Sequence, residues 1–571
     1  MTILINHLGY KKNGLKKAIV KAPRNCSIND VFLIDKISRK KIHKCQISEE
    51  GSVNKWKDWY FWRIDFSDFK ECGSYKLTGK INNNNYFSET FQIGEDIFRL
   101  NILSNLLFYL KSQRCSGEYD KKDISISFFG DRKDEVDVHG GWYDASGDYS
   151  KYLSHLSFAN YMNPQQTPLI TWGLVFIYDY LKKRKYKLAE FLKDRFFEEI
   201  LNGADFLMRM QDSSGYFYMT VFDQWTHDPE KRCICAYSTQ KGNKSEDYQA
   251  GYRQGGGMAI AALARTSVLG IVSDFSSSRY LDAAIKGFDH LEKNNLKYLD
   301  NGKENIIDDY CALLAATEIY AATKNEYFLA KAKKRALLLI NKISHNRKYS
   351  GWWRVEDNNE RPYFHAAESG LPVISLLRFL EVCPLVSCKE KILETVKSSL
   401  EFELNISDEV NNPFGYARQY VKGLNQEAKT AFFIPHNNES GYWWQGENAR
   451  IASLAVAARY ACNFLSNDRL FTNRLTNYAI NQIDWILGLN PFDACMLYHF
   501  GTNNVNYEEA FYNAPGGIIN GITSGFNNED DIDFLPEPQC NDSYHRWRWA
   551  EQWITNTAWF LIAICLEDIK K

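Results

Sequence analysis

The segment His139–Tyr152, HGGWYDASGDYSKY, places two carboxylates four residues apart among small residues, with aromatic residues on both sides. Held close together in one loop, Asp144 and Asp148 can be aimed at a single water, one as general base and the other orienting the water or holding a substrate hydroxyl. The same spacing also suits an Asx-type turn or a calcium loop, since Asp and Gly are ordinary turn residues. An EF-hand is excluded, because its spacing and its closing Glu are absent. Hydrolysis of a glycosidic bond needs a proton donor as well, usually a carboxyl whose pKa is raised by apolar surroundings. Glu551 suits that task. It lies in WRWAEQW, Trp547–Trp553, where three indoles can desolvate it while Arg546 and Arg548 would oppose the shift. The alternative is a charge at the opening of a C-terminal helix.

Weaker candidates surround these three. Trp142, Tyr143, Trp443 and Trp444 are placed to stack on sugar rings or equally to fill a core. His365 and Glu368, in FHAAESG, are candidates for a cleft lining, against a hydrogen-bonded structural histidine at a helix start. Gly255–Gly257 form no phosphate loop, because the P-loop Lys and the preceding strand are missing. No metal-ligand set stands out, and no cofactor motif is found.

Two kinds of element must position these groups. The first hundred or so residues alternate like strands: Tyr60, Trp62, Ile64 and Phe66 face one way, and Phe61, Arg63 and Asp65 the other. Similar runs at Ala18–Val20, Val31–Ile34 and Phe87–Ile93, the last preceded by a turn at Asn82–Asn85, predict a small sandwich over residues 1–96. From residue 97 to 571 the pattern is helical, and two kinds of helix alternate. Ile451–Ala458 (IASLAVAA) and Cys311–Ala322 (CALLAATEIYAA) are apolar all round, as fully buried helices are. Lys389–Leu400 is one-sided, with Ile392, Leu393, Val396 and Leu400 opposite Lys389, Glu390, Glu394 and Lys397. About a dozen such segments, pairing inner with outer, predict an α/α toroid, a mainly α domain behind a small all-β one. Long loops near 115–150, 213–250, 405–445 and 495–550 are rich in aromatic, acidic and amide residues, and loops of that length are usually functional or disordered.

Composition narrows the function classes. A net charge of -1 supplies no basic field for nucleic acid or anionic lipid. No apolar run reaches the roughly 18 residues of a membrane span. The 13 Cys lack CxxC pairing, which fits reduced, buried thiols, and the start MTILINHLGYKKNG has no sustained apolar core, so a cytoplasmic location is the default expectation. Aromatic residues reach 15%, suiting sugar stacking and a large core alike.

Together these residues resemble glycoside hydrolase family 9, the group of the cellulases. Ile3–Val20 and Asp65–Ile93 are similar to the immunoglobulin-like domain that often precedes its catalytic domain. GGWYDASGDYSKY is similar to the family's GGWxDAGDxxKY, QIDWILGLNP at Gln482–Pro491 to its QIDYLLGxNP, and Glu551–Ala558 to its NExxxxxNA proton-donor segment. The resemblance implies an (α/α)6 barrel with an open cleft and inversion at the anomeric carbon, with Asp148 as base, Asp144 as its partner on the water and Glu551 as acid. Inversion requires base and acid about 6.5–9.5 Å apart. Two departures stand out. DAGD has become DASGD, so Ser146 forces a bulge beside the base, and the family's His-His-Arg cluster is missing between Asn490 and Gly516. The DASGD form resembles exo-acting glucosaminidases more than secreted endoglucanases. The expected substrate is therefore a short β-1,4-linked oligomer, of glucosamine first and cellulose second. An ammonium at the sugar's second carbon would then require a nearby carboxylate. A non-catalytic sugar-binding protein and a phosphorylase are the alternatives, and the second lacks a cationic phosphate site.

Overall fold

A computed structural model describes residues 1–82, 84–96, 100–357, 360–511 and 513–567, the side chains of Leu100 and Asn101 excepted. Two sheets form first. One is antiparallel in the order Thr2–Leu4, Lys17–Ala22, Tyr60–Asp65, Gln46–Gly51. The other runs Gly9–Lys11, Phe91–Gly94, Gly73–Ile81, Ile28–Asp35, Lys41–Lys44, with Asn84–Phe87 also on Gly73–Ile81. Asn84 and Asn85, expected in a turn, are thus strand residues paired with Ile81 and Lys80, because the reversal is completed earlier, where Asn82 has φ 49°.

Trp62, Ile64 and Phe66 point between the sheets, as their alternation requires. The opposite face is only partly solvated: Arg63 is exposed, but the face is otherwise covered. Phe61, Leu4 and Ile19 belong instead to the core of the helical region, where Phe61 meets Phe414 edge-on at 5.2 Å. Polar contacts reinforce this seam: Asn6 donates to Asp484 at 2.8 Å, and Lys17 Nζ donates to the Phe414 carbonyl at 2.9 Å.

The helical region closes into a ring. Its inner helices are Thr167–Lys183, Gly257–Ser267, Ile306–Thr323, Leu371–Val382, Asn448–Cys462 and Ile554–Cys565. Each packs on the next, and the last packs back on the first. They carry the all-round apolar pattern because neighbours cover every side: Ile451–Ala458 is buried throughout. Outside them lie Leu100–Ser112, Lys193–Arg209, Ser277–Asn294, Glu326–Ile340, Lys389–Asp408 and Arg469–Ile486, each with one wet face. On Lys389–Asp408, Ile392, Val396 and Leu400 are buried while Lys389, Glu390 and Glu394 are exposed. The result is an (α/α)6 barrel preceded by a β-sandwich. Closure has a functional consequence, because it brings the last inner helix, and whatever precedes it, beside the start of the first.

Among the described residues no helix is long and apolar enough to cross a membrane. Inside the ring, Glu318 is held by Arg265 at 2.7 Å and Arg378 at 2.8 Å. Burial alone would raise its pKa, but the two guanidinium groups outweigh it and hold the carboxyl down at about 2.

Candidate active site

The Asp-rich loop is shaped by its own residues. Gly140 and Gly141 both have positive φ, 80° and 74°, and a Cβ on Gly141 would strike the Phe206 ring. Beyond them the loop closes on itself, with Asp144 N–H donating to the Ser150 carbonyl at 3.0 Å and Ser150 N–H to Asp148 Oδ1 at 2.9 Å. Lys151 anchors the exit: its buried ammonium donates to the carbonyls of Val138 and Gly140 and pairs with Asp123 at 2.7 Å, which Arg232 also grips.

Glu551 reaches this loop through the break before the last inner helix. It does not open a helix, which was the alternative reading of its place in the sequence. It caps the C-terminal end of Ser543–Ala550 with extended φ/ψ (-68°, 137°), and the next helix starts at Ile554. The extended stretch between them pairs with the loop. Ile554 N–H donates to the Asp144 carbonyl at 3.0 Å, Ser146 N–H to the Gln552 carbonyl at 3.0 Å, and Gln552 N–H to Ser146 Oγ at 3.0 Å. Ser146, the additional residue of DASGD, is therefore the clamp between the two segments, and the bulge it makes is secured on both its N–H and its hydroxyl. This pairing sets Glu551 over Gly147, where an added Cβ would lie 2.9 Å from Glu551 Oε1.

The three carboxyl groups share one cleft of about 510 Å³. Asp144 Oδ1 accepts from Trp553 Nε1 at 2.9 Å and from the Gln166 amide, and Oδ2 lies 3.5 Å from His155 Nδ1, an electrostatic contact rather than a well-formed hydrogen bond. Asp148 Oδ2 accepts from the Tyr152 hydroxyl at 2.8 Å and from Trp225 Nε1 at 2.9 Å. Burial and the neighbouring charge of Asp144 push the Asp148 carboxyl up to about 6. Burial, with the charges of Asp144 and Asp148, raises Glu551 well above the carboxylate range, against smaller opposing effects of the Gly147 amide and Asn520. Arg546 and Arg548 are not among the main causes of the shift. Arg546 is spent on the carbonyls of Tyr507, Asn506 and Cys540. Atoms of Asp144, Asp148 and His155 fall within 4.8 Å of one another, as ligands of a cation would. Asp144 Oδ1 and Asp148 Oδ2 each already accept two donors, whereas Asp144 Oδ2 faces only His155, so a cation there would compete with those donors and with a water for the same oxygens.

The weaker candidates divide. Trp443 and Trp444 line the cleft, Trp444 fixed by its Nε1 donating to the Ser524 carbonyl at 2.8 Å. Trp142, Tyr143 and His365 do not line it. Trp142 is buried beneath the loop with its indole donating to Glu199 at 3.2 Å, because the glycine turn folds it into the core. Tyr143 packs on Tyr149 and Tyr119, and its hydroxyl donates to the Ser116 carbonyl. His365 is wholly buried, its Nδ1 accepting from the N–H groups of Ala367 and Glu368, and burial depresses its pKa to about 3. Glu368 is equally buried and accepts from the Tyr310 hydroxyl. The cleft takes other residues that were not singled out, Trp225, His227, Tyr237 and Tyr507, together with Arg548, which was named only for its charge near Glu551. The signal for them was the long loops. Those around 115–150, 213–250, 405–445 and 495–550 each supply part of the lining, but which side chain on a loop faces inward depends on its turns.

With this geometry established, known proteins can be compared. The model of glycosyl hydrolase family 9 matches residues 101–513, most of the chain. The chain belongs to glycosyl hydrolase family 9. A second model, the cellulase N-terminal ig-like domain, matches residues 1–82. A cellodextrinase from Butyrivibrio fibrisolvens is 26% identical over 235 residues, which is 38% of this chain and 39% of that enzyme, so the match spans well under half of either. A metagenome-derived family 9 endoglucanase superposes with a TM-score of 0.67 over 99% of this chain and 98% of its own, at 13% identity. A family 9 protein of Bacteroides ovatus gives 0.66 over 99% and 98%, at 18% identity. At such identities the likeness concerns the fold.

Proposed function

We propose that this family 9 protein is an inverting glycosidase that hydrolyses β-1,4-glucosidic bonds of cello-oligosaccharides. Asp148 takes the proton of the attacking water, Asp144 helps to hold that water, and Glu551 protonates the leaving oxygen. The observation that carries the reading is the pairing of the Asp144–Ser146 loop segment with Gln552–Ile554, which brings Glu551 into one cleft with Asp144 and Asp148. Their proton affinities are separated as the two roles require: a carboxyl at about 6 is largely ionised at neutral pH, and one raised well above the usual range keeps its proton. Trp225 and Trp547, both half-buried, supply flat apolar surface for sugar rings, with the buried Trp443 and Trp444 behind the lining.

The glucosamine substrate expected from DASGD gives way to the cellulosic one. Asp144, Asp148 and Glu551 are the carboxylates found in the lining among the described residues, and all three have work at the bond being cut. None is left over to pair with an ammonium at the sugar's second carbon. The similar proteins, named a cellodextrinase and an endoglucanase, favour the same choice.

The test is incubation with cellotetraose and with chitosan dimers, followed by product analysis and by NMR of the first anomer formed. Cellotetraose should be cut with the α-anomer appearing first. Initial β-anomer, or release from chitosan dimers alone, would defeat the reading. Asp148→Asn should lower kcat by about 100-fold or more while sugar binding persists, and retained turnover would remove Asp148 from its role.

A further inference from the structure

Buried arginines in this protein are paired. Arg232, Arg253, Arg265, Arg378 and Arg450 each stand within 3.2 Å of a carboxylate. Arg335, Arg361, Arg418 and Arg459 also face acids. Among the described residues Arg548 is the exception, 7% exposed with no ion pair. It is also the one that lines the catalytic cleft. Its guanidinium is set among the rings of Trp547, Trp444 and Tyr442, at 4.6, 5.6 and 5.8 Å. Two N–H groups are used, Nε donating to His545 Nδ1 at 3.0 Å and Nη1 to the Trp444 carbonyl at 3.0 Å. Of the five donors a guanidinium carries, the outer Nη edge remains, with Nη2 taking no protein acceptor yet not sealed from solvent. A cation removed from water without a counter-charge is costly, and burial lowers the pKa of Arg548, whereas Arg232 and Arg450, buried more deeply still but paired, are held above the ordinary value.

We infer that the substrate carries an anionic group, a carboxylate or a phosphate ester, on a sugar that seats against Arg548. The inference rests on the glycosidase reading above and narrows its substrate. Arg548 lies three residues before Glu551, at the end of the helix that Glu551 caps, so the two are about one turn apart. The charged sugar is thus a neighbour of the bond that is cut. Its anion meets the outer edge of the guanidinium, the geometry in which arginine holds planar anions through two parallel hydrogen bonds. The aromatic rings around Arg548 fix the fork in advance. The same cation would repel a glucosamine unit at that position.

The experiment compares kcat/KM for cellotetraose, for the same chain bearing one glucuronic acid unit, and for a 6-phosphorylated counterpart. The protein should favour at least one charged substrate by roughly tenfold or more, the usual worth of a charge-assisted hydrogen bond. The arm that shows the preference identifies carboxylate or phosphate. Arg548→Gln should collapse the ratio of charged to neutral, and Arg548→Lys should lower it in part. If Arg548→Gln does not fold, as read by thermal unfolding, the ionic-strength dependence in the unaltered protein decides: KM for the preferred charged substrate should rise with salt and that for cellotetraose should not. Equal or poorer turnover of both charged substrates, or a loss in Arg548→Gln shared equally with cellotetraose, overturns the inference while leaving the glycosidase reading intact. Failure to cut any of the three overturns the glycosidase reading itself.

Discussion

Removing one hydroxyl, by Tyr152→Phe, tests how the base is tuned. The Tyr152 hydroxyl donates to Asp148 Oδ2 at 2.8 Å, and the ring is buried at 1% exposure against His155, with centroids 4.5 Å apart. Phenylalanine fills the same space, so the change is confined to one hydrogen bond. That bond favours the ionised carboxylate, and a hydrogen bond to a charged group is worth about 1.5–3 kcal/mol. At 1.36 kcal/mol per unit, its loss raises the pKa of Asp148 by about one to two units. Ser150 N–H and Trp225 Nε1 still donate to the carboxylate, which puts the shift at the lower end. Asp148 starts at about 6 and should move to about 7. Because a base works only when ionised, the acid limb of kcat/KM against pH should move up by that amount, while the alkaline limb, set by Glu551, stays in place. At pH 5 the variant should be slower by about tenfold, and at pH 8 nearly equal to the unaltered protein. The assay is hydrolysis of a chromogenic cello-oligosaccharide across pH. Asp144 and Asp148 interact, so the limb reports the pair. An acid limb that does not move, or moves to lower pH, would refute both the assignment of Asp148 as base and the reasoning from its donors.

Ser146→Ala deprives the Gln552 N–H of its acceptor at 3.0 Å, so the Glu551 segment should loosen, with kcat reduced by roughly tenfold or more and KM little changed; steady-state kinetics at neutral pH decides, and an unaltered kcat would show that the clamp does not position the acid. Glu318→Gln leaves Arg265 and Arg378 without their shared carboxylate and should cost about 3–5 kcal/mol, read by denaturant unfolding. Since the folded pKa of Glu318 is depressed to about 2, its contribution is complete above the unfolded value of about 4.3 and fades as pH falls toward 2, so the gap between the two proteins should narrow in acid. Phe61→Ala opens a hole where the sandwich meets the barrel at Phe414 and should cost about 3–5 kcal/mol. Unfolding should remain a single transition at lower temperature, and a separate early transition of the sandwich alone would contradict the shared core.

The periodicities of the chain carried much of this outcome. All-round apolar runs such as Ile451–Ala458 and one-sided runs such as Lys389–Leu400 determine which helices are inner and which outer, because a helix buried on every side tolerates no charged stripe. The composition of HGGWYDASGDYSKY likewise made a two-carboxylate loop legible, since glycine readily adopts the positive φ that the turn at Gly140 and Gly141 takes. What periodicity could not reach was anything set by contact between distant segments. The outward face of Tyr60–Asp65 is mixed in sequence and is in part an interface, through Phe61, while Arg63 stays exposed, because alternation reports only that two faces differ. Trp142 and His365 are aromatic and polar groups of the right kind that the backbone turns into the interior, whereas Trp225 and Tyr507 are turned into the cleft by loops, and Arg548 by a short helix, whose course depends on what they pack against. The sequence by itself determined the types of element and the chemical equipment. Only ring closure decided that Glu551, about 400 residues beyond Asp148, lies over Gly147, because the side that a carboxyl presents, and the proton affinity it then has, belong to its neighbours in space and not to those along the chain.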